Sequence, residues 1–409
     1  MNHHPNYKWN ILVLATLTNA LVMALPGMSL SVLFPEISRE LHLSVVQVGI
    51  VWGIASLPAI FTSLFGGAIG DRFGPERVLS LGCLLVGLSG GLRGLSQGFG
   101  SLVASVVLLG SLMPLILVNV FKTCGVWFPR KQLGLANGFL SMGMALGFLA
   151  GSMISATVLS PWLGGWRNVL FLYGGIAMLF SVPWAFVRRA PNTTQETSDT
   201  GITSLRQTIM HVIKLRDVWL LGFSILVIGG CIQAVLGYLP LYLRGLGWPA
   251  VSADGALASF HTVSMICVIP IALLSDRLGE RKKLLLVGGL MFLTGIGLLS
   301  VVNGIMIWVA VGLAGMVRDG FMAIFMTMIV ETDGVGPAYV GTATGFVMIF
   351  SFLGNVLAPP LGNSFAEIAP SAPFVFWAIL IAAGIFGLSL TRRPQGIIGR
   401  KRIAKMPEN

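Results

Sequence analysis

Two short stretches of this sequence nearly repeat each other: GDRFGPERVL at Gly70–Leu79 and SDRLGERKKL at Ser275–Leu284. Each contains Asp-Arg-x-Gly followed by basic residues, in a chain of which only 10% of the residues are charged. The aspartates Asp71 and Asp276 are 276 − 71 = 205 residues apart, about half of the 409-residue chain. This spacing predicts that the chain consists of two copies of one unit.

The composition places the chain in a membrane. The sequence is 55% hydrophobic, with a mean hydropathy of +0.87, and a soluble protein of this length needs far more charge to cover its surface. Because a membrane span takes about 20 apolar residues, the apolar runs predict an all-α protein with twelve transmembrane helices. We expect these near residues 10–34, 46–68, 78–96, 101–124, 133–158, 168–187, 218–241, 253–274, 284–302, 304–327, 339–362 and 373–391.

The basic residues predict the orientation. Of the 26 Lys and Arg residues, most fall in segments that are cytoplasmic if the N-terminus is cytoplasmic. The exceptions are Arg39, Arg93, Arg167 and Arg244 in outside segments and Arg318 within a span. This asymmetry predicts that both termini are cytoplasmic, in a plasma or bacterial inner membrane. It also explains the net charge of +11 without nucleic acid as a partner.

A long polar stretch divides the predicted spans into two sets of six. Residues 1–190 are predicted to form an N-terminal six-helix bundle and residues 218–409 a C-terminal one. Between them, residues 191–217 form a cytoplasmic linker, in which the apolar spacing over Leu205–Leu215 predicts an amphipathic helix on the membrane surface. Nothing in the sequence indicates oligomerisation, so we expect a monomer.

The repeated loop resembles the signature of the major facilitator superfamily, in which Gly-x-x-x-Asp-Arg-x-Gly connects spans two and three. The resemblance covers the whole chain and implies two pseudo-symmetric six-helix bundles and transport by alternating access. It also implies that the motif residues latch the cytoplasmic gate. Here these are Gly67, Asp71, Arg72, Gly74 and Arg77, with Asp276, Arg277, Gly279 and Arg281 in the second copy.

The loops depart from the family pattern, because Pro75, Glu76 and Glu280 stand where basic residues usually follow the second glycine. A solvated loop that follows the positive-inside rule explains the basic residues equally well. It does not explain why the Asp-Arg-x-Gly order occurs twice.

Ionisable residues inside predicted spans are the main candidates for function. Arg318 and Asp319 lie about 14 residues into the tenth span, roughly 21 Å from its start and slightly cytoplasmic of the midplane. The resemblance implies that spans one, four, seven and ten line the cavity, so Arg318 is placed either to bind an anionic group or to pair with an acid on another span. Because adjacent helical residues point about 100° apart, we expect no direct pair between Arg318 and Asp319.

The coupling and polar cavity residues are weaker predictions. Asp319 and His261 are candidates for carrying protons, although a lone membrane histidine is more commonly a packing residue. Asn19, Asn119, Gln233 and Tyr238 are candidate polar contacts to the substrate. Arg93, near the outer end of the third span, is expected at the membrane interface.

The sequence points to a secondary transporter. It contains no phosphate-binding Gly-x-x-x-x-Gly-Lys loop and no Glu-x-x-His cluster, so we expect no cofactor, no metal and no enzymatic activity. A receptor does not account for the doubled loop. Arg318 favours import of a small organic anion with protons or another coupling ion.

Export of amphipathic compounds is the alternative. The stretch WFPRKQLGLANG at residues 127–138 resembles anion and carboxylate carriers of the superfamily, with Leu133 in place of their usual arginine. The segment GMALGFLAG at residues 143–151 lacks the proline of the drug-antiporter motif. The first feature favours an anionic substrate, and the second argues against drug export.

Overall fold

The protein is described by a computed structural model that covers residues 7–187 and 205–392. In these residues there is helix but no strand. The long helices are α1 (Tyr7–Glu40), α2 (Val45–Ile54, continued by Ser56–Phe73), α3 (Pro75–Leu92), α4 (Phe99–Trp127), α5 (Arg130–Ile154), α6 (Trp166–Phe186), α7 (Arg216–Gly245), α8 (Ala250–Leu278), α9 (Arg281–Leu298), α10 (Ile305–Glu331), α11 (Gly336–Asn363) and α12 (Ala372–Ser389). A short helix, which we call the linker helix, spans Leu205–Ile213. The predicted boundary at residues 190 and 191 lies outside the described residues.

Eleven of these long helices are long and apolar enough to cross a membrane, among the residues that the structure describes. The exception is α9, which covers most of the predicted ninth span. It is 18 residues long and begins with Arg281, Lys282 and Lys283, so its apolar part is short and its first turn is basic. The helices are therefore long enough to cross a membrane, except that α9 has a short apolar part and a strongly charged first turn.

Local sequence explains where several helices begin. At the start of α2, Ser44 and Gln47 form a capping box, because Gln47 N donates to Ser44 Oγ and Ser44 N donates to Gln47 Oε1. Pro75 occupies the first turn of α3 and Pro373 that of α12, where a proline removes no helical hydrogen bond.

Helix packing repeats along the chain. In the first six helices, α1 packs on α5, α2 on α4, α3 on α4 and α3 on α6. The same four pairs recur six helices later, as α7 on α11, α8 on α10, α9 on α10 and α9 on α12. We call residues 7–187 the first half and residues 205–392 the second half. The 205-residue spacing of the loops is thus matched by a repeated packing scheme.

The two halves meet through the pairs α1 with α7, α2 with α11 and α5 with α8. Three hydrogen bonds join the halves among the described residues. Asn363 Nδ2 donates to Val45 O over 2.9 Å, Trp52 Nε1 donates to Gln233 O over 2.6 Å, and Ser31 Oγ donates to Leu236 O. Glycines permit this contact, because a Cβ on Gly53 would lie 2.4 Å from Asn355 O.

These contacts also define the two ends of the molecule. Val45 begins α2 and Phe73 ends it, while Asn363 ends α11 and Gly336 begins it. Because Val45 contacts Asn363, Phe73 and Gly336 lie at the same end. Helix α10 ends at Glu331, shortly before Gly336, and Glu331 pairs with Arg281 next to the second turn. The two turns that hold Asp71 and Asp276 therefore lie at this end. We call this end the motif face and the opposite end the distal face. The hydrogen bonds between the halves begin at the distal face and reach toward the middle of the helices.

Candidate substrate site

The glycines of the two loop motifs adopt backbone conformations that differ from those of ordinary residues. Gly74 joins α2 to α3 with φ 87° and ψ 138°, and Gly279 ends α8 with φ 64° and ψ 6°. Both angles lie in regions where a Cβ is strained. Asp71 and Asp276 each precede their glycine by three residues, so each copy of the motif ends its helix at a glycine with positive φ.

The charged residues of the motifs contact their own half in this structure. Asp71 pairs with Lys122 at the end of α4. Arg281 lies 3.3 Å from Asp276 and 2.7 Å from Glu331 at the end of α10. Arg72, Arg77 and Arg277 are exposed, and Gly67 lies in α2. Each turn is therefore tied to the fourth helix of its half, and no ion pair joins the halves at the motif face among the described residues.

Arg318 lies at the centre of α10. It is 318 − 305 = 13 residues from the start of the helix and 331 − 318 = 13 residues from its end, or about 20 Å from each at 1.5 Å per residue. The helix continues four residues beyond the predicted span of 304–327, so Arg318 lies at the middle of the helix. An arginine at this depth is costly unless other polar groups surround it.

The expected separation of Arg318 and Asp319 is wrong. Arg318 Nη1 donates to Asp319 Oδ1 over 2.9 Å, because the long arginine side chain bends back over the 100° step between neighbouring residues. Ser264 Oγ on α8 donates to Asp319 Oδ2 over 2.7 Å and accepts from Asp319 N at 3.1 Å. The side chains of Arg318 and Asp319 remain 22% and 33% exposed, so the protein does not fully enclose this pair.

His261 and Phe148 complete the cluster across the interface between the halves. The ring of His261 on α8 stacks on that of Phe148 on α5, with centroids 5.5 Å apart. The Arg318 guanidinium carbon lies 5.6 Å from the same Phe148 ring. His261 is buried, and its Nε2 has no hydrogen-bond partner. We call Phe148, His261, Ser264, Arg318 and Asp319 the Arg318 cluster.

The cluster thus contains three of the predicted site residues, namely Arg318, Asp319 and His261. The other four lie elsewhere: Asn19, Asn119, Gln233 and Tyr238. Asn19 is buried and donates from Nδ2 to Leu140 O on α5. Asn119 is buried against α2, where its Nδ2 donates to Gly66 O over 3.1 Å. Both asparagines make contacts between helices of the first half.

Gln233 and Tyr238 are on α7, nearer the distal face. Gln233 is half-buried, and its backbone carbonyl accepts from Trp52. Tyr238 is buried and donates from its hydroxyl to Pro370 O over 2.8 Å. It lines a cleft of about 280 Å³ between the halves, together with Ser38, Val45 and Tyr242 among others. Tyr238 thus belongs to the distal face and not to the Arg318 cluster.

Other findings were not foreseen in the sequence. Arg93, expected at the membrane interface, is 2% exposed, and its Nε donates to Gly90 O over 3.2 Å. Ser264 and Phe148 were not predicted as site residues. Ser264 follows His261 by three residues, so helical spacing placed it on the same face, but nothing in the sequence indicated that Phe148 of the first half would reach them.

A family model for the Major Facilitator Superfamily matches residues 12–334 and 256–405, which together cover nearly the whole chain. The chain belongs to the major facilitator superfamily. It is therefore a multi-pass membrane transporter and not an enzyme.

Curated relatives of this superfamily member transport different compounds according to their names. The chain is 24% identical over 406 residues to a probable nitrate/nitrite antiporter, NarK1, of Thermus thermophilus, covering 92% of this chain and 90% of the relative. It is 27% identical over 347 residues to the multidrug resistance protein MdtG of Escherichia coli, covering 82% and 81%.

A solved structure shows the same fold. It is that of a bacterial homologue of the human lysosomal transporter Spinster, in an inward-facing and unoccupied conformation. The superposition has a TM-score of 0.77 at 15% sequence identity and covers 95% of this chain and 96% of that one.

Proposed function

We propose that this transporter moves a small organic anion by alternating access, with protons as the coupling ion. Its twelve long helices form two six-helix bundles, residues 1–190 and 218–409, joined by the linker. Both termini and the motif face lie in the cytoplasm, and the membrane is the plasma or bacterial inner membrane. The conformation described here is open toward the motif face, which is supported by the position of the hydrogen bonds between the halves.

The observation that carries the anion proposal is the position of Arg318. A guanidinium is always charged and has five N–H donors. The pair with Asp319 uses Nη1, so donors remain that can bind a carboxylate in the space that exposes 22% of this side chain. The stacked Phe148 and His261 rings supply an apolar wall beside it. Asn19, Asn119, Gln233 and Tyr238 then act in helix packing or at the gates, and Arg318 is the main contact of the substrate.

Asp319 is the preferred proton carrier of this site. When it is ionised, it neutralises Arg318; when it takes a proton, the charge of Arg318 becomes available to an anion. A proton and an anion then enter the cluster together, which is the chemistry of symport. His261, with a buried and unpartnered Nε2, is the second candidate for this step.

Export of amphipathic compounds is the alternative, and the similarity to MdtG supports it. An exporter needs a large apolar cavity, whereas the Arg318 cluster offers charged groups and two rings. The similarity to a probable nitrate/nitrite antiporter agrees with an anionic substrate and also with exchange in place of symport.

The test is uptake by proteoliposomes. Purified protein is reconstituted, and uptake of radiolabelled nitrate, lactate and succinate is measured with pH 6.0 outside and pH 7.5 inside, and again without the gradient. We expect accumulation of at least one anion that depends on the gradient. Arg318→Ala should lower the initial rate at least about tenfold, equivalent to about 1.4 kcal/mol, and Arg318→Lys should retain part of it. Asp319→Asn should abolish the effect of the gradient.

Lys214→Gln, which removes an exposed positive charge at the linker, is the matched control and should transport as the wild type does. If Arg318→Ala transports every accumulated anion at the wild-type rate, the anion proposal is wrong. If the wild type accumulates none of the three anions but expels an amphipathic dye, the export alternative replaces it.

A further inference from the structure

Ionisable residues are nearly absent from the middle of the membrane helices. Among the residues that the structure describes, only His261 on α8 and Arg318 and Asp319 on α10 lie more than two turns from a helix end. Every other Lys, Arg, His, Asp or Glu of the described part of the chain lies within two turns of a helix end or in a loop. The Arg318 cluster therefore contains all of the ionisable groups that the described helices place in mid-membrane.

The other cations of the predicted cavity helices α1, α4, α7 and α10 lie near the helix ends. Lys122, within two turns of the end of α4, pairs with Asp71 at the motif face. At the distal face, Arg244 in the last turn of α7 donates to Asp254 of α8 over 2.6 Å. Arg318 is thus the one arginine or lysine in the middle of the described helices.

This count limits the charge that the cluster can offer to an anion. Arg318 and Asp319 cancel when Asp319 is ionised. One proton, bound by Asp319 or by His261, then gives the cluster one net positive charge. A monovalent anion cancels that charge, whereas a divalent anion leaves one negative charge in mid-membrane. Because an unbalanced charge at that depth is costly, the cluster favours monovalent anions.

The hydrogen-bond donors lead to the same conclusion. A guanidinium binds a carboxylate through two parallel N–H donors. The Ser264 hydroxyl is already used, since it donates to Asp319 Oδ2 over 2.7 Å. His261 is buried and its Nε2 has no partner, so this nitrogen can supply at most one more hydrogen bond. A second carboxylate therefore finds no second pair of donors within the cluster.

The apolar wall of the cluster comes from the first half. The Phe148 ring is only half-buried, and its centroid lies 5.5 Å from that of His261 and 5.6 Å from the Arg318 guanidinium carbon. An anion whose carboxylate is bound by Arg318 therefore has its chain within reach of an aromatic ring. Each methylene that this ring buries strengthens binding by up to about fourfold.

We propose that the substrate of the Arg318 cluster is a monovalent carboxylate with an apolar chain, and that Phe148 selects for the chain. This inference rests on the proposed function, because it takes the Arg318 cluster as the anion site. One proton and one monovalent anion carry no net charge together, so their transport is electroneutral.

Two comparisons of ligands test the charge and the chain separately. Binding to the purified protein in lipid nanodiscs is measured by isothermal titration calorimetry at pH 7.0. Butyrate and succinate each have four carbons but differ by one negative charge, and monomethyl succinate restores the single charge. We expect butyrate and monomethyl succinate to bind at least about tenfold more tightly than succinate. Acetate, which lacks two methylenes of butyrate, should bind about four- to fifteenfold more weakly than butyrate.

Variants identify the residues. Arg318→Ala should lose binding of every carboxylate. Phe148→Ala should bring the affinity for butyrate to within about twofold of that for acetate, because the buried methylenes lose their contact. Phe148→Leu, which stays apolar, should retain part of the difference. A merely structural loss would weaken both ligands equally and leave this ratio unchanged. Leu146→Ala, an exposed residue of the same helix, is the control and should keep the wild-type ratio.

The net charge moved is measured in proteoliposomes. An inside-negative potential, set by a potassium gradient and valinomycin, should leave the initial rate of radiolabelled lactate uptake unchanged. A divalent anion taken up with one proton would carry negative charge inward, and the same potential would slow it.

Each contrary outcome has a definite meaning. Succinate binding as tight as that of butyrate overturns the monovalent assignment, and so does slower lactate uptake under the inside-negative potential. An unchanged ratio of butyrate to acetate in both Phe148 variants overturns the role of that residue. If none of the four carboxylates binds but nitrate uptake depends on Arg318, only this inference fails. If no anion binds or is accumulated, the proposed function fails with it.

Discussion

At the scale of single residues, the two motif turns look alike in sequence but differ in backbone geometry. Gly279 has φ 64° and ψ 6°, close to the left-handed helical region that asparagine also visits. Gly74 has φ 87° and ψ 138°, in a region that is accessible to glycine alone. The glycine at the same position of each motif therefore adopts a different backbone conformation in each copy.

This difference predicts opposite tolerance to asparagine. Gly279→Asn should change the unfolding midpoint of the detergent-solubilised protein little, whereas Gly74→Asn should destabilise it by about 1–3 kcal/mol, the usual cost of such backbone strain. Thermal unfolding followed by size-exclusion chromatography measures both. Equal losses for the two variants would show that the ψ difference between the turns has no energetic consequence.

At the scale of helices, close contact depends on small residues in defined places. A Cβ on Gly354 of α11 would lie 2.0 Å from Leu226 O of α7, and one on Gly230 of α7 would lie 2.6 Å from Gly354 O. Since lipid is as apolar as the helix surface, such backbone contact is what holds membrane helices together. The seam of α7 with α11 therefore depends on these two glycines.

Gly354→Ala should weaken this seam by about 1–3 kcal/mol, because a methyl group directed at a backbone carbonyl forces the helices apart. Gly341→Ala on the same helix is the control, as its Cβ would have no neighbour within 4 Å. Alanine favours a helix over glycine, so the control should be as stable as the wild type or more so. Unfolding midpoints in one detergent provide the comparison, and equal midpoints would contradict the close approach.

At the scale of the whole molecule, the repeat determines how the two halves contact each other. In the repeat, α2 corresponds to α8 and α5 corresponds to α11. The contact of α2 with α11 therefore corresponds to the contact of α8 with α5, and the interface is nearly symmetric about an axis through the bundle. The motif turns lie together at one end, and the charged groups of the distal face lie at the other. Each end thus has its own set of ionisable residues.

Topology can be tested in intact cells. In a Cys267→Ser background, Arg77→Cys and Glu280→Cys should resist a membrane-impermeant maleimide and become labelled only after lysis, because positively charged loops remain in the cytoplasm. Ile368→Cys, which is 79% exposed at the distal face, should react from outside. Labelling of Arg77→Cys and Glu280→Cys from opposite sides would refute the common motif face.

The sequence by itself determined the superfamily, the helical class and the doubled loop, since hydropathy and the Asp-Arg-x-Gly pattern are local properties of the chain. It also identified Arg318, Asp319 and His261, because an ionisable residue in an apolar run is conspicuous. Only the tertiary structure decided that Arg318 bends back to Asp319 and that Phe148 joins them from the other half. Those contacts join residues more than one hundred positions apart or depend on side-chain conformation, and packing decides both.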